Sequence, residues 1–341
     1  MRRSPLLWLT VLTLGSFGPA SGQRPAGPYS ILVGPGPEDF ELQRNGPHGP
    51  RLIISSQDRR KHKKDAGQIL FMDLEGDDRE HAHPFRIEGR HRPLPLHPIG
   101  ISLVEKPDQT LLYVVHSGEM EHWIEKYEVG SDHLVYVDRF EDQRITTPND
   151  LVALPNGEIY VSNAGLSRNA FGNLFATLFH RPRGSVVHFD GRTWSDLLPH
   201  ALFPNGLAID PDGRYLFINL FGAKRMRIYD RSTSKFLRDV ELKAHPDNLS
   251  WEIPGKRLNV ACHRSQWRTG LHIVSARIHA PSVGFAIDTE AAIAGRPAVT
   301  PLYDLPSFDS SSTALAFGGR IYVSQMIEPF IVVLHDGRPK E

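Results

Sequence analysis

Apolar and polar positions alternate along this chain in pairs of short segments, each pair joined by a tight turn. In the clearest pair, residues 148–162, a polar tip at Asn149-Asp150 leads into an apolar run, a Pro-Asn-Gly turn follows at 155–157, and a second apolar run returns at 159–161. A two-residue period between such turns is typical of β-strands joined as hairpins. Because one hairpin does not bury its apolar face alone, the pattern predicts several copies that pack on one another.

The pattern occurs six times, the last copy being the weakest, at residues 37–40, 98–101, 148–151, 204–207, 246–249 and 312–315. The copies are separated by intervals of roughly 40 to 65 residues, with no long helical pattern between them, which is the signature of propeller blades. The sequence therefore predicts an all-β fold, a six-bladed β-propeller, in a single domain over residues 23–341.

The tips of the six copies are predicted to converge, because the inner strands of a propeller line a central channel. Their first residues are Glu38, Ile99, Asn149, Asn205, Asp247 and Ser312. Four of these six carry a carboxylate or an amide, and oxygen ligands converging from separate strands are what Ca²⁺ prefers. The alternative is that Asn and Asp cap strand ends by local hydrogen bonds. Matched repeat positions favour the metal site.

The charge balance limits the partners expected for this chain, and the cysteine content limits its covalent links. Lys+Arg and Asp+Glu both number 39, so the balance gives no electrostatic reason to expect nucleic acid as a partner. The single cysteine, Cys262, excludes an intramolecular disulfide. The ring must therefore be held closed by packing and strand pairing, with a bound ion as a further tie.

Residues 1–22 have the features of a secretion signal: a basic Arg2-Arg3, a short apolar run at 6–14, and small residues at 19–22. We expect cleavage near Gly22 and a secreted or periplasmic, in either case extracytoplasmic, protein. An uncleaved membrane anchor is the alternative, although the apolar run is short for a span.

Two other segments stand out between the repeats. The basic run 59–64 is interpreted as a solvated hairpin tip in the first blade. Residues 166–180 carry Phe171, Leu174, Phe175 and Leu178 at helical spacing, which predicts a short helical lid over the propeller. A surface that associates with lipid or a membrane is the alternative for this segment.

The ordered set of motifs resembles the paraoxonase/arylesterase family of six-bladed propellers. It is more distantly similar to the gluconolactonase (regucalcin-like) and strictosidine-synthase-like families. The resemblance runs from about Pro37 to Asp336 and is carried by residues 38–41, 67–74, 97–102, 149–153, 204–207 with 211–213, and 247–250.

The resemblance implies two calcium ions in the channel. The upper, catalytic ion would be held by Glu38, Asn149, Asn205, Asp247 and Asn248. The lower, structural ion would be held by Asp39, Asp150 and the backbone carbonyl of Ile101.

The chain departs from the family at the proton-transfer residues. Ile99 occupies the position of the family's catalytic histidine. The position of that histidine's partner, also a histidine in the family, is at about Ser117, with His116 one place earlier. An aspartate that points inward in the family is replaced at about Ala164. A further family histidine is kept as His263. The metal scaffold thus carries over, whereas the proton-transfer groups do not.

These observations predict a calcium-dependent hydrolase of small-molecule lactones or aryl esters, expected to be a monomer. His263 is the leading candidate for the general base and His116 the second. Glu38 and Asp247 are weaker candidates, because a carboxylate bound to Ca²⁺ is a poor base. The alternatives are a non-hydrolytic, strictosidine-synthase-like enzyme and a non-catalytic propeller that uses calcium only for stability.

Overall fold

A computed structural model describes residues 27–60, 65–90, 95–118, 121–165 and 182–338, and in it the chain forms six sheets. The predicted six-bladed β-propeller is confirmed. Residues 1–22 and 166–180, predicted as a secretion signal and a helical lid, lie outside the described residues.

The first three sheets follow one another along the chain. The first contains β2 (Pro37–Gly46), β3 (Gly49–Ser56), β4 (Gln68–Asp73) and β5 (Ala82–Pro84). The second contains β7 (Pro98–Glu105), β8 (Thr110–Ser117), β9 (His122–Val129), β10 (His133–Phe140) and, parallel to β10, β6 (Arg86–Glu88). The third contains β11 (Pro148–Ala153), β12 (Ile159–Asn163), β13 (Gly184–Phe189) and β14 (Trp194–Ala201).

The other three sheets complete the ring. The fourth contains β15 (Pro204–Ile209), β16 (Tyr215–Leu220), β17 (Arg225–Asp230) and β18 (Lys235–Glu241). The fifth contains β19 (His245–Ile253), β20 (Arg257–His263), β21 (Pro281–Asp288) and β22 (Val299–Asp309). The sixth contains β23 (Ser311–Phe317), β24 (Arg320–Gln325), β25 (Phe330–His335) and β1 (Tyr29–Leu32).

Helical structure is confined to connections. Among the described residues it comprises a 3₁₀ turn at Phe221–Ala223, helix α1 (Gln266–Val274) and helix α2 (Thr289–Ala294). Helix α1 follows β20 directly, and Ser265 caps its first turn by accepting the Arg268 N–H. This connection places α1 beside His263, the last residue of β20.

The sixth sheet closes the ring by combining the two ends of the described chain. β1 pairs antiparallel with β25, from Tyr29 opposite Val333 to Leu32 opposite Phe330. Pairing strands distant in sequence ties the first blade to the last without a disulfide, as the single buried Cys262 requires. The closure therefore rests on strand hydrogen bonds and packing.

The apolar core of the described chain is divided into six clusters, and each lies between two neighbouring sheets. The middle strands are consequently buried on both faces, which explains their continuous apolar runs; in β3, Leu52, Ile53 and Ile54 are all fully buried. Outer strands such as β10 are largely exposed. Packing of sheet on sheet around the ring holds the inner strands in contact along the channel.

The predicted hairpin turns follow from their sequences. In the third blade, the Leu154 N–H donates to the Glu158 carbonyl at 2.9 Å, and the Gly157 N–H donates back to Leu154 at 3.0 Å. Gly157 has a φ of +92°, a conformation that glycine adopts without steric cost. Such turns fix which residues of each copy reach the channel.

Candidate metal centre

Two rings of residues line the upper end of the channel, one from each tip position of the six inner strands. The mouth ring contains the first tip residues, Glu38, Ile99, Asn149, Asn205, Asp247 and Ser312. The deep ring contains the second tip residue of each of the six copies. In blade order these are Asp39, Gly100, Asp150, Gly206, Asn248 and Thr313.

In the deep ring, Asp39 joins three blades. Its Oδ2 accepts the N–H of Ile101 in the second blade at 2.9 Å, and its Oδ1 accepts the Thr313 hydroxyl of the sixth blade at 3.0 Å. Oδ1 also accepts the N–H of Phe40 at 2.9 Å. Ile101, predicted to supply a carbonyl ligand, thus meets this carboxylate through its N–H.

Asp150 makes the corresponding bond between the third and fourth blades, since its Oδ2 accepts the Leu207 N–H at 2.7 Å. Its neighbour in the second blade is Gly100. A Cβ at residue 100 would lie 2.5 Å from Asp150 Oδ1 and 2.6 Å from its Cα. The absence of a side chain at Gly100 therefore allows the two inner strands to approach closely.

A glycine next to a polar residue of the following blade occurs again between the fourth and fifth blades, and the polar residue then bonds to the sixth. A Cβ at Gly206 would lie 2.6 Å from the Cα of Asn248, so glycine again admits the next strand. Asn248 Nδ2 in turn donates to the hydroxyls of Ser312 at 3.4 Å and Thr313 at 3.1 Å. Polar residues and glycines thus alternate around most of the deep ring.

The two deep carboxylates are buried and repel each other. Burial, reinforced by the charge of Asp247, raises the pKa of Asp39 to about 7 despite its hydrogen bonds. Burial and the charge of Asp39 also raise the pKa of Asp150 well above its usual range. Two buried carboxylates whose ionised forms are disfavoured in this way are an environment that a divalent cation would stabilise.

In the mouth ring, both carboxylates contact residues from outside the ring. Glu38 Oε2 accepts a hydrogen bond from the guanidinium of Arg59, and Asp247 Oδ2 lies 2.6 Å from His263 Nε2. The Asp247 backbone carbonyl accepts the Asn219 side-chain N–H at 2.5 Å. Each carboxylate is therefore held in one orientation by a positively charged or protonatable partner.

The amide oxygens of the channel fit an oxygen-ligated cation. The Oδ1 atoms of Asn205 and Asn248 are buried and have no hydrogen-bond partner in the part of the chain that the structure describes, which is costly for a buried acceptor. Asn149 is half-buried at the same level. Unpaired amide oxygens beside Glu38 and Asp247 form the mixed carboxylate and carbonyl donor set of a calcium site. Clusters made only of three or more His, Cys, Asp or Glu do not occur in the described part of the chain.

His263 lies behind Asp247 and has a partner on each ring nitrogen. It is fully buried, with Nδ1 3.0 Å from Thr269 Oγ1, and the ring of Phe221 packs edge-on against it at 5.4 Å. Thr269, on helix α1, also donates to the Ser265 carbonyl at 3.0 Å. His263 is therefore brought to the mouth ring, but it reaches the channel only through Asp247.

His116 lies in a separate cluster within the second blade. Its ring stacks on Trp123 at 3.9 Å, and its Nδ1 accepts the His97 N–H at 3.2 Å. Burial and the neighbouring His97 lower its pKa to about 3. His116 is thus neutral at physiological pH and is held in the blade rather than in the mouth ring, while Ile99 packs against apolar residues between the second and third blades.

The prediction of a solvated tip at 59–64 was wrong for Arg59 and Arg60, whose side chains are only 16% and 25% exposed. Arg59 reaches Glu38, and Arg60 pairs with Glu328. Residues 61–64 lie outside the described ranges. A run of basic residues in a polar connection gave no signal that two of them fold inward.

A cavity of about 890 Å³ opens on the same side, between the ends of the fourth and fifth sheets. Phe221 separates it from the mouth ring, since its ring lies 5.1 Å from His245, which lines the cavity, and 5.4 Å from His263. The described lining includes the cations Lys224, Arg225, Arg227 and Arg264 and no carboxylate. The cavity is therefore adjacent to the candidate site and positively charged.

No helix within the described ranges is long and apolar enough to cross a membrane.

Comparison with known proteins agrees with the architecture. A profile of the arylesterase family matches residues 61–327. The human serum paraoxonase/arylesterase 2 is 22% identical over 268 residues, which cover 76% of this chain and 74% of that protein. Among solved structures, a luciferin-regenerating enzyme superposes with a TM-score of 0.55 at 14% identity, covering 91% of this chain and 95% of its own. A gluconolactonase from Xanthomonas campestris superposes with a TM-score of 0.51 at 14% identity, covering 92% and 98%.

Proposed function

The chain belongs to the arylesterase family, and from that premise we propose that it is a calcium-dependent hydrolase of lactones or aryl esters. The observation that carries the calcium requirement is the pair of buried amide oxygens on Asn205 and Asn248, which have no partner among the described residues and lie beside the carboxylates of Glu38 and Asp247. Glu38, Asn149, Asn205, Asp247 and Asn248 would hold the upper ion, and Asp39, Asp150 and Ile101 the lower one.

The chemistry that Ca²⁺ supplies at such a site is Lewis-acid polarisation of an ester carbonyl and stabilisation of the negative charge on its oxygen. The protein residues orient the substrate and accept the proton of the attacking water. His263 is the proposed final acceptor of that proton, which reaches Nε2 through the Asp247 carboxylate 2.6 Å away, because a carboxylate that holds Ca²⁺ is itself a poor base. His263 is thus proposed as the partner of Asp247.

Thr269 sets the tautomer of the His263 ring in this proposal. Its single hydroxyl proton lies between the Ser265 carbonyl and His263 Nδ1, both at 3.0 Å. When the hydroxyl donates to Ser265, Nδ1 of His263 has to be the donor, and when it donates to Nδ1, the ring proton sits on Nε2 towards Asp247. Rotation of one hydroxyl therefore accompanies movement of the proton along the pair.

The cavity beside Phe221 is the proposed space for the body of the substrate. Arg225 and Arg227 share Asp239, and Arg264 pairs with Asp304, whereas Lys224 has no ionic partner within the described part of the chain. The described part of the lining holds four cations and no carboxylate, which favours substrates that carry a carboxylate away from the ester.

Turnover of a substrate panel tests this function. Phenyl acetate, 4-acetoxybenzoate, and γ- and δ-lactones should be hydrolysed in calcium and not in chelator. Asn205→Ala should abolish turnover with a modest change in melting temperature, while the matched control Asn156→Ala, in an exposed turn, should leave both unchanged. Full activity of Asn205→Ala would contradict the assigned site.

A second candidate function is favoured by Ile99, which is apolar and packed between blades where the family has a catalytic histidine. This candidate is a non-catalytic propeller that calcium stabilises. It predicts that calcium raises the melting temperature while no ester or lactone in the panel is turned over.

We also propose export, which rests on residues 1–22. A monomeric state, and lipid association through residues 166–180, are further proposals. N-terminal sequencing of secreted protein should start near Gln23. Material that begins at Met1 would contradict cleavage.

A further inference from the structure

The mouth ring contains a cation supplied by the chain itself. Arg59 donates through Nη2 to Glu38 and lies close enough to Asp247 for that carboxylate to favour its charged form. Burial lowers the pKa of Arg59 to about 10, so the guanidinium is still charged at neutral pH. A fixed positive charge therefore lies at the carboxylates proposed to hold the upper calcium ion.

The position of Arg59 is built by the surrounding backbone. Its Nη1 donates to the carbonyls of Gly36 at 3.1 Å, Met326 at 3.2 Å and Gln57 at 3.3 Å. These carbonyls come from the first and sixth blades, so the guanidinium spans the junction at which the ring closes. Four acceptors in fixed positions hold it there.

Gly36 makes this arrangement possible. It has a φ of +54°, and a Cβ there would lie 2.1 Å from the Gln57 carbonyl and 3.0 Å from Arg59 Nη1. A side chain at residue 36 would displace both the carbonyl and the guanidinium. The local backbone is thus shaped to receive Arg59.

Glu38 has only one carboxylate for two cations. Arg59 uses Oε2, and no contact among the described residues uses Oε1. An ion bound by Glu38 would share its charge with Arg59 and experience the repulsion of the guanidinium at short range.

We propose that Arg59 shares Glu38 with the upper calcium ion and weakens the binding of that ion. The inference rests on the proposed function, because it assumes calcium at the mouth ring. It also separates the two ions. Among the described residues, the deep carboxylates of Asp39 and Asp150 accept hydrogen bonds from backbone N–H groups and the Thr313 hydroxyl but from no arginine, so there only the upper ion competes with a cation of the protein.

Calcium binding, measured by calorimetry with chelator competition, tests the proposal without any turnover. Arg59→Met removes the charge and keeps the aliphatic stem, and should tighten the weaker of the two calcium sites by about tenfold or more. Arg59→Lys keeps the charge and should bind calcium like the wild type. The matched control Arg60→Met removes the neighbouring cation, which pairs with Glu328, and should leave both affinities unchanged.

A double-mutant cycle assigns the effect to Glu38. In a Glu38→Gln background, Arg59→Met should tighten calcium binding less than it does in the wild type, because the shared charge is gone and only the direct repulsion of the guanidinium remains. If Arg59→Met does not fold, Arg59→Gln, neutral but still able to donate to the Gly36 and Met326 carbonyls, takes its place in the cycle.

Calcium binding distinguishes failure of the inference about Arg59 from failure of the proposed hydrolase function. Equal or weaker calcium binding by Arg59→Met, with two sites in the wild type, would overturn the role of Arg59 and leave the hydrolase proposal intact. Absence of calcium binding in the wild type and in every variant would overturn both the inference and the calcium requirement, while leaving esterase activity to be decided by turnover in chelator.

Discussion

The deep ring and the mouth ring occupy neighbouring tip positions of the six repeats, yet different parts of the chain hold them. In the deep ring, Asp39 and Asp150 accept N–H groups from the inner strand of the next blade. In the mouth ring, Glu38 and Asp247 contact Arg59 and His263, which come from a connection and a strand end. The deep ring is thus a product of the repeat, whereas the mouth ring depends on elements outside it.

This difference suggests separate roles. The deep residues are interlocked between blades, so a change there should act first on stability. In the mouth ring, the Asn205 amide oxygen has no hydrogen-bond partner among the described residues, so a change there should act first on binding and turnover. Variants of the two rings test this division.

Asp150→Ala should cause the largest loss of stability. It removes the bond to Leu207 and a proposed ligand of the lower ion, and an ion present at a thousandfold excess over its Kd contributes about 4 kcal/mol. Thermal melting across a calcium titration should show a strongly lowered melting temperature that no longer responds to calcium. The exposed turn variant Asp212→Ala serves as the control, and wild-type melting of Asp150→Ala in both chelator and calcium would show that the deep ring holds no ion.

His263→Ala should lower turnover by about 10²-fold while the bound calcium is retained, as expected when proton transfer loses its partner. His116→Ala should retain turnover, because burial lowers the pKa of His116 to about 3 and the neutral ring takes up no proton at pH 7. Thr269→Val should shift the pH profile of turnover without abolishing it. Loss of activity in His116→Ala and not in His263→Ala would reverse the assignment.

Gly100→Ala should destabilise the protein by about 1–3 kcal/mol, since its Cβ would lie 2.6 Å from the Cα of Asp150, a backbone atom that cannot rotate away. Gly270→Ala, in helix α1, meets nothing within 4 Å and should be neutral or stabilising by up to about 1 kcal/mol. Denaturant unfolding of both variants measures the difference. Equal stabilities would mean that the inner strands of the second and third blades separate easily.

The sequence was sufficient for the blades and for the deep ring because both follow from the repeat. Once the strands are in register, Asp39 and Asp150 have to occupy matched positions, and the glycines in Pro98-Ile99-Gly100 and Pro204-Asn205-Gly206 stand at the same step of their own copies. The consequence of those glycines, close approach of the next strand, required the packing of the blades.

The surroundings of the mouth ring could not be predicted in the same way. Arg59 reaches Glu38 because of the path of a connection and the φ of Gly36, neither of which the repeat determines. Similarly, Thr269 meets His263 only because helix α1 folds back over the end of β20. Contacts between a repeated element and a unique one have no sequence period to reveal them.

The deep carboxylates should also give the calcium-free protein a stability that depends on pH. The pKa of Asp39 is raised to about 7 in the folded state, from an ordinary value of 3.8. A raised pKa means that the folded state binds more protons than the unfolded state between these values, so the contribution of Asp39 to stability is lost as pH rises from about 4 through 7. In chelator, the melting temperature of the wild type relative to Asp39→Asn should therefore fall as pH rises across this range.

Comparison with Asp39→Asn is needed because other groups make contributions to stability that change with pH in the opposite direction. Burial lowers the pKa of His116 to about 3 and that of His245 to about 4, so their contributions are lost as pH falls below 6.5. Both histidines are present in the two proteins and cancel in the difference. Added calcium should abolish the remaining slope, since a bound cation stabilises the ionised carboxylate. A difference that does not change with pH in chelator would mean that Asp39 ionises freely, and the deep ring would then have no need of a cation.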